Sequence, residues 1–152
     1  MRTAYRLLAY ILAVEVMVQA AAIAFAVFGL TKWVDDGGTL DKAAMESDDT
    51  TFTGAVGFMI HGINGTTLIP LFALLLLIVS FFAKVPGGVG LAGFVLVAVV
   101  AQVLLGIFAH SVPALGALHG IVALLILGAS AAAGRRAGDT HDVARRDETA
   151  LV

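Results

Sequence analysis

The fold is decided by residues 89–133, VGLAGFVLVAVVAQVLLGIFAHSVPALGALHGIVALLILGASAAA, in which two long apolar runs are separated only by a short break around Pro113. A helix needs roughly 20 apolar residues to cross the hydrocarbon core of a bilayer, which is about 30 Å thick. Each run meets that length, and the break is long enough only for a tight turn. The stretch therefore predicts a helical hairpin that crosses a membrane twice.

The composition of the whole chain agrees with a bilayer as its solvent. Of its 152 residues, 60% are hydrophobic and only 13% are charged, and the mean hydropathy is +1.00. A water-soluble domain of this size could not cover so much apolar surface with so few charges. The chain has no cysteine, which excludes disulfides, thiolate catalysis, iron–sulfur clusters and cysteine-based zinc sites.

Two further apolar stretches upstream complete a set of four predicted spans, at about 4–30, 52–83, 89–110 and 113–133. The first begins with basic residues, as a secretory signal does, but its apolar run is too long for a signal and contains Glu15, so we interpret it as a retained span. The second contains Pro70, which predicts a kink. With short connections, residues 1–133 are predicted to form an all-α, up-down-up-down four-helix bundle in the membrane.

The basic residues predict the orientation of these spans. Seven of the nine fall on one side of the membrane if both termini lie there: Arg2, Arg6, Lys84, Arg135, Arg136, Arg145 and Arg146. Because basic residues are enriched on the cytoplasmic side, we expect cytoplasmic termini and a multi-pass protein of the plasma membrane. Residues 31–51 then form an acidic outer loop. Residues 134–152 are polar, mixed in charge and without an apolar face, which predicts a disordered cytoplasmic tail.

Ionisable side chains inside membrane spans are rare and usually functional. The spans contain four of them, with three neutral polar companions: Glu15, His61, His110 and His119, and Gln19, Asn64 and Gln102. His61 lies nine residues into the second span, or roughly 13 Å, and His119 lies six residues into the fourth, or roughly 9 Å. These two helices run in the same direction and are diagonal in a four-helix bundle. The two rings are therefore predicted to face one central object from opposite sides.

Small residues lie one helical turn from both histidines on the same faces: Gly57, Gly65, Gly116 and Ala123. Such residues commonly allow helices to pack closely in membranes. They also leave room beside each ring for a flat macrocycle. For the pair together we favour ligation of a haem b by His61 and His119, while the alternative is two histidines that hydrogen-bond to neighbouring helices.

His110 and Glu15 have several interpretations. His110 is predicted at the outer interface, where it could bind a haem propionate, join a metal site or, as we favour, cap its helix. Glu15 is expected to be a neutral, hydrogen-bonded carboxylic acid. Pairing of Glu15 with a histidine and a role in proton conduction are the alternatives.

Residues 101–129, AQVLLGIFAHSVPALGALHGIVALLILGA, resemble the corresponding hairpin in each half of the haem A synthase family. There, a Gln-hydrophobic-Leu-Gly stretch leads through a short outer turn to a helix that bears a haem-ligand histidine. His119 falls at that ligand position, and His61 falls at the matching histidine of the second helix. The resemblance implies a bis-histidine b-type haem in the outer half of a four-helix bundle.

The chain also departs from that family. The family enzymes have eight helices in two such bundles, and their active half carries a glutamate about one turn before the second-helix histidine, where this chain reads GFMI at 57–60. The outer-loop cysteines of the family are absent, and Gly62 replaces the arginine that commonly follows the histidine. These departures argue against haem A synthesis by this chain alone. The alanine- and glycine-rich composition is similar to that of small four-span membrane proteins of actinobacteria.

The leading hypothesis is a membrane-embedded haem b protein that transfers electrons or handles haem near the outer face. Iron with two histidine ligands has no open axial position, which favours electron transfer over oxygen binding. The alternative is a cofactor-free accessory subunit of a larger respiratory membrane complex. An enzyme or transporter working through Glu15, and a zinc or copper site of His61, His110 and His119, rank below both. The expected partners are the lipid bilayer, haem, and a second copy or a larger complex, with no nucleic acid.

Overall fold

The computed structural model describes residues 1–47 and 51–150, with side chains described as far as residue 138. The described chain is all helical, as predicted. It contains six α-helices and one π-helical turn: α1 (Arg2–Asp35), α2 (Lys42–Glu46), α3 (Val56–Ile63), the π-helical turn (Asn64–Leu68), α4 (Ile69–Ala83), α5 (Gly88–Ala109) and α6 (Ala114–Ala150).

Among the described residues, four helical segments are long and apolar enough to cross a membrane: Arg2–Asp35, Val56–Ala83, Gly88–Ala109 and Ala114–Gly138. Each coincides with one of the four predicted spans, so the protein is a multi-pass membrane protein by length and composition. The breaks between spans follow from local chemistry. Lys84 and Gly87, at either side of Pro86, both have positive φ angles, +53° and +68°, which end α4 and allow the chain to reverse before α5.

The segment predicted as an outer loop, 31–51, contains more helix than expected. Helix α1 continues to Asp35, and α2 forms a short helix that the Asp41 side chain caps by accepting from the Ala44 N–H at 2.8 Å. Trp33 stacks on Phe52 with ring centroids 6.0 Å apart, which ties the end of α1 to the segment before α3. Residues 48–50 lie outside the described part of the chain.

The four spans pack in a ring, and each contacts two neighbours. Helix α1 packs against α6 and against the helix formed by α3 and α4, and α5 packs against α4 and α6. At what we call the N-terminal end, the Tyr5 hydroxyl donates to the main-chain oxygen of Gly88 at 3.1 Å, and Gly134 of α6 lies against the Tyr10 ring. The turn between α5 and α6, residues 110–113, lies at the opposite end, which we call the loop end.

The tightly packed part of the bundle is the half next to the N-terminal end. Its largest buried apolar side chains are all less than 2% exposed: Tyr5, Leu12, Leu76, Val95, Val99 and Ile126. By contrast, no residue from 100 to 125 is buried. Because lipid supplies no hydrophobic drive between helices, such side-chain packing carries much of their association. The buried residues of α5 and α6 therefore lie toward the N-terminal end of the bundle.

The π-helical turn directly precedes Pro70. The proline lacks the N–H that would bond the main-chain oxygen of Thr66, and its ring crowds that carbonyl. The Thr66 hydroxyl in turn donates to the main-chain oxygen of Gly62 at 2.7 Å. The irregularity expected at Pro70 thus falls one turn earlier, because a proline disturbs the turn before it.

The predicted disordered tail, 134–152, differs from the structure where it begins. Helix α6 continues to Ala150, and Ala133 and Ala137 are buried against the rest of the bundle. Small residues recur every three or four positions here, so this face of α6 packs closely on the start of α1 and the helix continues instead of ending at Gly134. Residues 151 and 152 lie outside the described part of the chain.

Candidate functional site

The structure brings His61 and His119 together inside the bundle. They lie on α3 and α6, which belong to diagonal spans, and their ring centroids are 6.1 Å apart with the ring planes at 57°. Both rings are partly buried. Gln19, Asn64 and Gln102 adjoin them through the contacts described below, so polar groups from all four spans meet around this pair.

The separation of the two rings suits a shared metal. Metal–nitrogen bonds to imidazole are about 2 Å long, and a ring nitrogen lies about 1 Å from its centroid, so two imidazoles that bind one metal from opposite sides have centroids about 6 Å apart. A direct hydrogen bond between the rings would bring the centroids to about 5 Å. The observed 6.1 Å agrees with metal ligation, and it also lies within the range of about 4.5–7 Å found for aromatic rings that pack on each other without a metal.

The hydrogen bonding of His119 also suits a ligand. Its Nδ1 atom lies 3.0 Å from the main-chain oxygen of Gln102, which can only accept, so Nδ1 carries the proton and donates. The neutral ring then has its lone pair on Nε2. Histidines that bind metals almost always donate their other N–H to such an acceptor.

His61 has two neighbours at Nδ1, both from Gln19. The main-chain oxygen of Gln19 lies 3.2 Å away, and the terminal amide lies 2.6 Å away. With the amide nitrogen toward His61, the amide donates to Nδ1, and with the amide oxygen toward His61 it accepts from Nδ1. The partner of Nδ1 therefore decides whether Nε2 is free to bind a metal.

Glu15 and Asn64 extend the cluster along α1 and the π-helical turn. The Asn64 amide donates to the Glu15 carboxyl group at 2.6 Å, and Asn64 is 7% exposed. Two buried side-chain oxygens, Asn64 Oδ1 and Gln102 Oε1, have no hydrogen-bond partner. Such oxygens in a native interior are commonly explained by a water or an ion. Glu15 is hydrogen-bonded as expected, and its partner is Asn64 and not a histidine.

The two histidines approach each other from opposite sides of the bundle. His61 lies on the side of α1 and α3, which pack tightly, and His119 lies on the side of α5 and α6. A planar macrocycle with axial imidazoles needs its ligands on opposite faces and space in its plane. The placement of the two rings meets the first of these requirements.

The small residues flanking the histidines have more varied positions than the sequence suggested. A Cβ atom at Gly57 would overlap the main-chain oxygen of Ala22, so Gly57 serves close packing of α3 on α1, and Gly65 faces the Gln19 side chain. Gly116 faces Ala109, and Ala123 packs against the buried core.

Gly106 also belongs to the site, although the sequence did not identify it as a site residue. A Cβ atom at Gly106 would lie 3.2 Å from Cε1 and 3.3 Å from Nδ1 of His119, so Gly106 makes room for this ring. The available signal was its position four residues after Gln102, which puts both on one face of α5.

His110 does not join the pair. It is exposed and directly follows Ala109, the last residue of α5, as expected for a residue at the end of a helix. Within residues 1–47 and 51–138, no group of three or more His, Cys, Asp or Glu side chains is close enough to hold a metal ion. The site of His61, His110 and His119 considered for zinc or copper is therefore not formed, because the end of α5 lies too near the loop end.

Fold and site together define a multi-pass, all-helical membrane protein with a facing histidine pair in its interior. No match to this chain was found among protein-family models, curated proteins or solved structures. The relationship to the haem A synthase family expected from the sequence stays a prediction.

Proposed function

We propose that this protein holds a haem b between His61 and His119 and transfers electrons or handles haem near the outer face of the plasma membrane. The observation that carries the proposal is the 6.1 Å separation of the two ring centroids across the bundle. It is supported by the acceptor at Nδ1 of His119 and by the position of the two rings on diagonal spans.

The proposal includes an up-down-up-down bundle with both termini in the cytoplasm. The contact between Tyr5 and Gly88 and that between Tyr10 and Gly134 support alternating helix directions. The described basic residues near the N-terminal end, including Arg2, support the cytoplasmic location of that end. The histidine pair then lies in the outer half of the membrane.

In this proposal each residue of the site has a defined task. His61 and His119 bind the iron from opposite faces, the Gln19 side chain holds the His61 ring through Nδ1, and Gly106 leaves space for the His119 ring. The main-chain oxygen of residue 102, not its side chain, accepts from Nδ1 of His119. A haem with two histidine ligands supplies a one-electron redox centre with no open axial position. Handling of haem for other proteins uses the same ligands.

A cofactor-free accessory subunit of a larger respiratory complex is the second candidate function. The observation that favours it is a set of glycines with no atom within 4 Å of where a Cβ would lie: Gly62, Gly90, Gly93, Gly120 and Gly128. In a membrane, such open small-residue positions allow another helix to approach closely. A second copy of this chain could occupy them as well.

An absorption spectrum of the purified protein tests the proposal. Protein from haem-replete cells should show a Soret band and sharp α and β bands on reduction. His61→Ala and His119→Ala should each abolish the six-coordinate spectrum, because each removes an axial ligand. His110→Ala is the matched control and should keep it, since His110 is exposed at the helix end. A colourless wild-type protein would refute haem binding and favour the accessory role.

A further inference from the structure

The helix that carries His61 is widened by the π-helical turn Asn64–Leu68. A π turn takes up one residue more than an α-helical turn, and such turns are frequent at functional sites. A regular helix turns by about 100° per residue, so, viewed along its axis, Ile69 would lie about 80° around the helix from His61. The extra residue of the π turn reduces this angle to about 20°. His61 therefore lies on the same helix face as Ile69, Ala73 and Leu76, which are buried.

Gln19 of α1 places its side chain against this widened turn. With the amide nitrogen toward His61, the amide donates to the His61 main-chain oxygen at 3.1 Å and to Nδ1 at 2.6 Å. In the same orientation its oxygen accepts from the Gly65 N–H at 3.0 Å and from the Asn64 amide at 3.1 Å. The amide thus bridges main-chain groups of residues 61 and 65, which would bond directly in an α-helix. All four contacts are matched in this orientation alone.

This orientation fixes the proton on His61. Because Nδ1 then accepts from the Gln19 amide at 2.6 Å, the neutral ring carries its proton on Nε2, and the main-chain oxygen of Gln19, 3.2 Å from Nδ1, receives no hydrogen bond from this ring. His119 has the opposite arrangement, since the main-chain oxygen of Gln102 at 3.0 Å can only accept and Nδ1 must donate. The two facing rings are therefore opposite tautomers in this structure.

We propose that Gln19 is a positioning residue that sets both the direction and the tautomer of the His61 ring. We also propose that the side-chain amide of Gln19 rotates, so that its nitrogen and oxygen exchange places, when Nε2 of His61 binds a metal. The second part rests on the proposed function, and the first does not. Ligation needs the lone pair on Nε2, so the ring proton moves from Nε2 to Nδ1 and none is gained or lost. The amide oxygen and the main-chain oxygen of Gln19, 3.2 Å from Nδ1, then accept that proton.

Gln102 provides a matched control for this role. It is the other interior glutamine beside a histidine, but it holds His119 through its main-chain oxygen. The oxygen of its side chain makes no hydrogen bond. Replacing the Gln102 side chain should leave both histidine rings as they are, whereas replacing that of Gln19 should change His61.

Nitrogen NMR of the full chain, produced without haem and labelled with ¹⁵N, tests the first part. The wild-type protein should show His61 protonated on Nε2 and His119 protonated on Nδ1. Gln19→Leu should remove the Nε2–H preference of His61 and leave His119 unchanged, and Gln102→Leu should change neither ring. Gln19→Glu, which keeps the size and offers acceptors only, should move the His61 proton to Nδ1. Wild-type His61 protonated on Nδ1, or unaffected by Gln19→Leu, would overturn the inference.

Haem titration and redox titration of the same variants test the second part. Gln19→Leu should weaken haem binding about 10- to 100-fold, as loss of a partner of a ligating histidine commonly does. Gln19→Glu should lower the midpoint potential, because a carboxylate acceptor makes the ring a stronger ligand for ferric iron. Gln102→Leu should match the wild type in both measurements.

The two arms separate the failure of this inference from that of the proposed function. Haem bound equally by wild type and Gln19→Leu would overturn the turning of the amide and leave the proposed function standing. A wild-type protein that takes up no haem would end the proposed function together with the turning of the amide. The tautomer assignment is judged by the NMR arm alone.

Discussion

Replacing Gly57 by alanine should separate α3 from α1 and destabilise the protein. A Cβ atom at this position would overlap the main-chain oxygen of Ala22 and lie 3.1 Å from the Cβ atom of Ala26, where ordinary contact begins at 3.4 Å. The obstacle is backbone and cannot rotate away, so α3 must move by up to about 1 Å to regain van der Waals contact. Overpacking of this kind costs about 1–3 kcal/mol, or about a 5- to 150-fold lower ratio of folded to unfolded protein.

The single tryptophan of the chain, Trp33, makes this change measurable. It stacks on Phe52 at 6.0 Å, so its fluorescence follows the contact between α1 and the segment that leads into α3. We expect Gly57→Ala to unfold at a lower mole fraction of sodium dodecyl sulfate in mixed micelles. The same displacement should lengthen the 3.2 Å contact between Nδ1 of His61 and the main-chain oxygen of Gln19, and weaken any ligand held by His61.

Gly62→Ala is the control for this prediction, because Gly62 lies on the same helix and has no atom within 4 Å of a Cβ position. It should be as stable as the wild type or more so, since alanine favours helix over glycine by up to about 1 kcal/mol. Equal unfolding midpoints for Gly57→Ala and Gly62→Ala would refute the argument that glycine is needed for close packing of α3 on α1.

Two further substitutions test other contacts. Tyr5→Phe removes the 3.1 Å bond from the buried hydroxyl to the main-chain oxygen of Gly88 and should cost about 0.5–1.5 kcal/mol in the same titration, the usual net contribution of one hydrogen bond; an unchanged midpoint would contradict this. Gly106→Val should displace the His119 ring and change its nitrogen NMR shifts. Gly93→Val is the control, because Gly93 lies on the same helix with open space around it, and it should leave these shifts unchanged. Equal effects of the two variants would contradict a specific role for Gly106.

The sequence was sufficient to predict the parts of the fold that depend on apolar length. Four stretches of the required length predicted four spanning helices, and each is present. The fourth helix continues beyond residue 133, the predicted end of its span, although 134–152 is polar in composition. Ala137 and its neighbours pack on the start of α1, and this tertiary contact has no signal in local composition.

Within the site, the sequence named the interior polar residues but could not predict their pairing. Similar depth in diagonal helices was enough to predict that His61 and His119 approach each other. The insertion of Gln19 beside the π-helical turn depends on one side-chain conformation between two helices, which no spacing rule encodes. Gly57 shows the opposite case, since the same spacing that suggested room for a cofactor serves the contact with α1.

The depth of the histidine pair has an electrical consequence under the proposed function. His61 and His119 lie near the starts of the spans Val56–Ala83 and Ala114–Gly138, closer to the loop end than to the N-terminal end. A transmembrane voltage changes the energy of a charge by about 2.3 kcal/mol per 100 mV over the full membrane thickness. If the pair holds a haem, an electron that arrives from the loop end would cross the smaller part of that voltage, so this exchange would depend less on membrane potential than exchange from the N-terminal end.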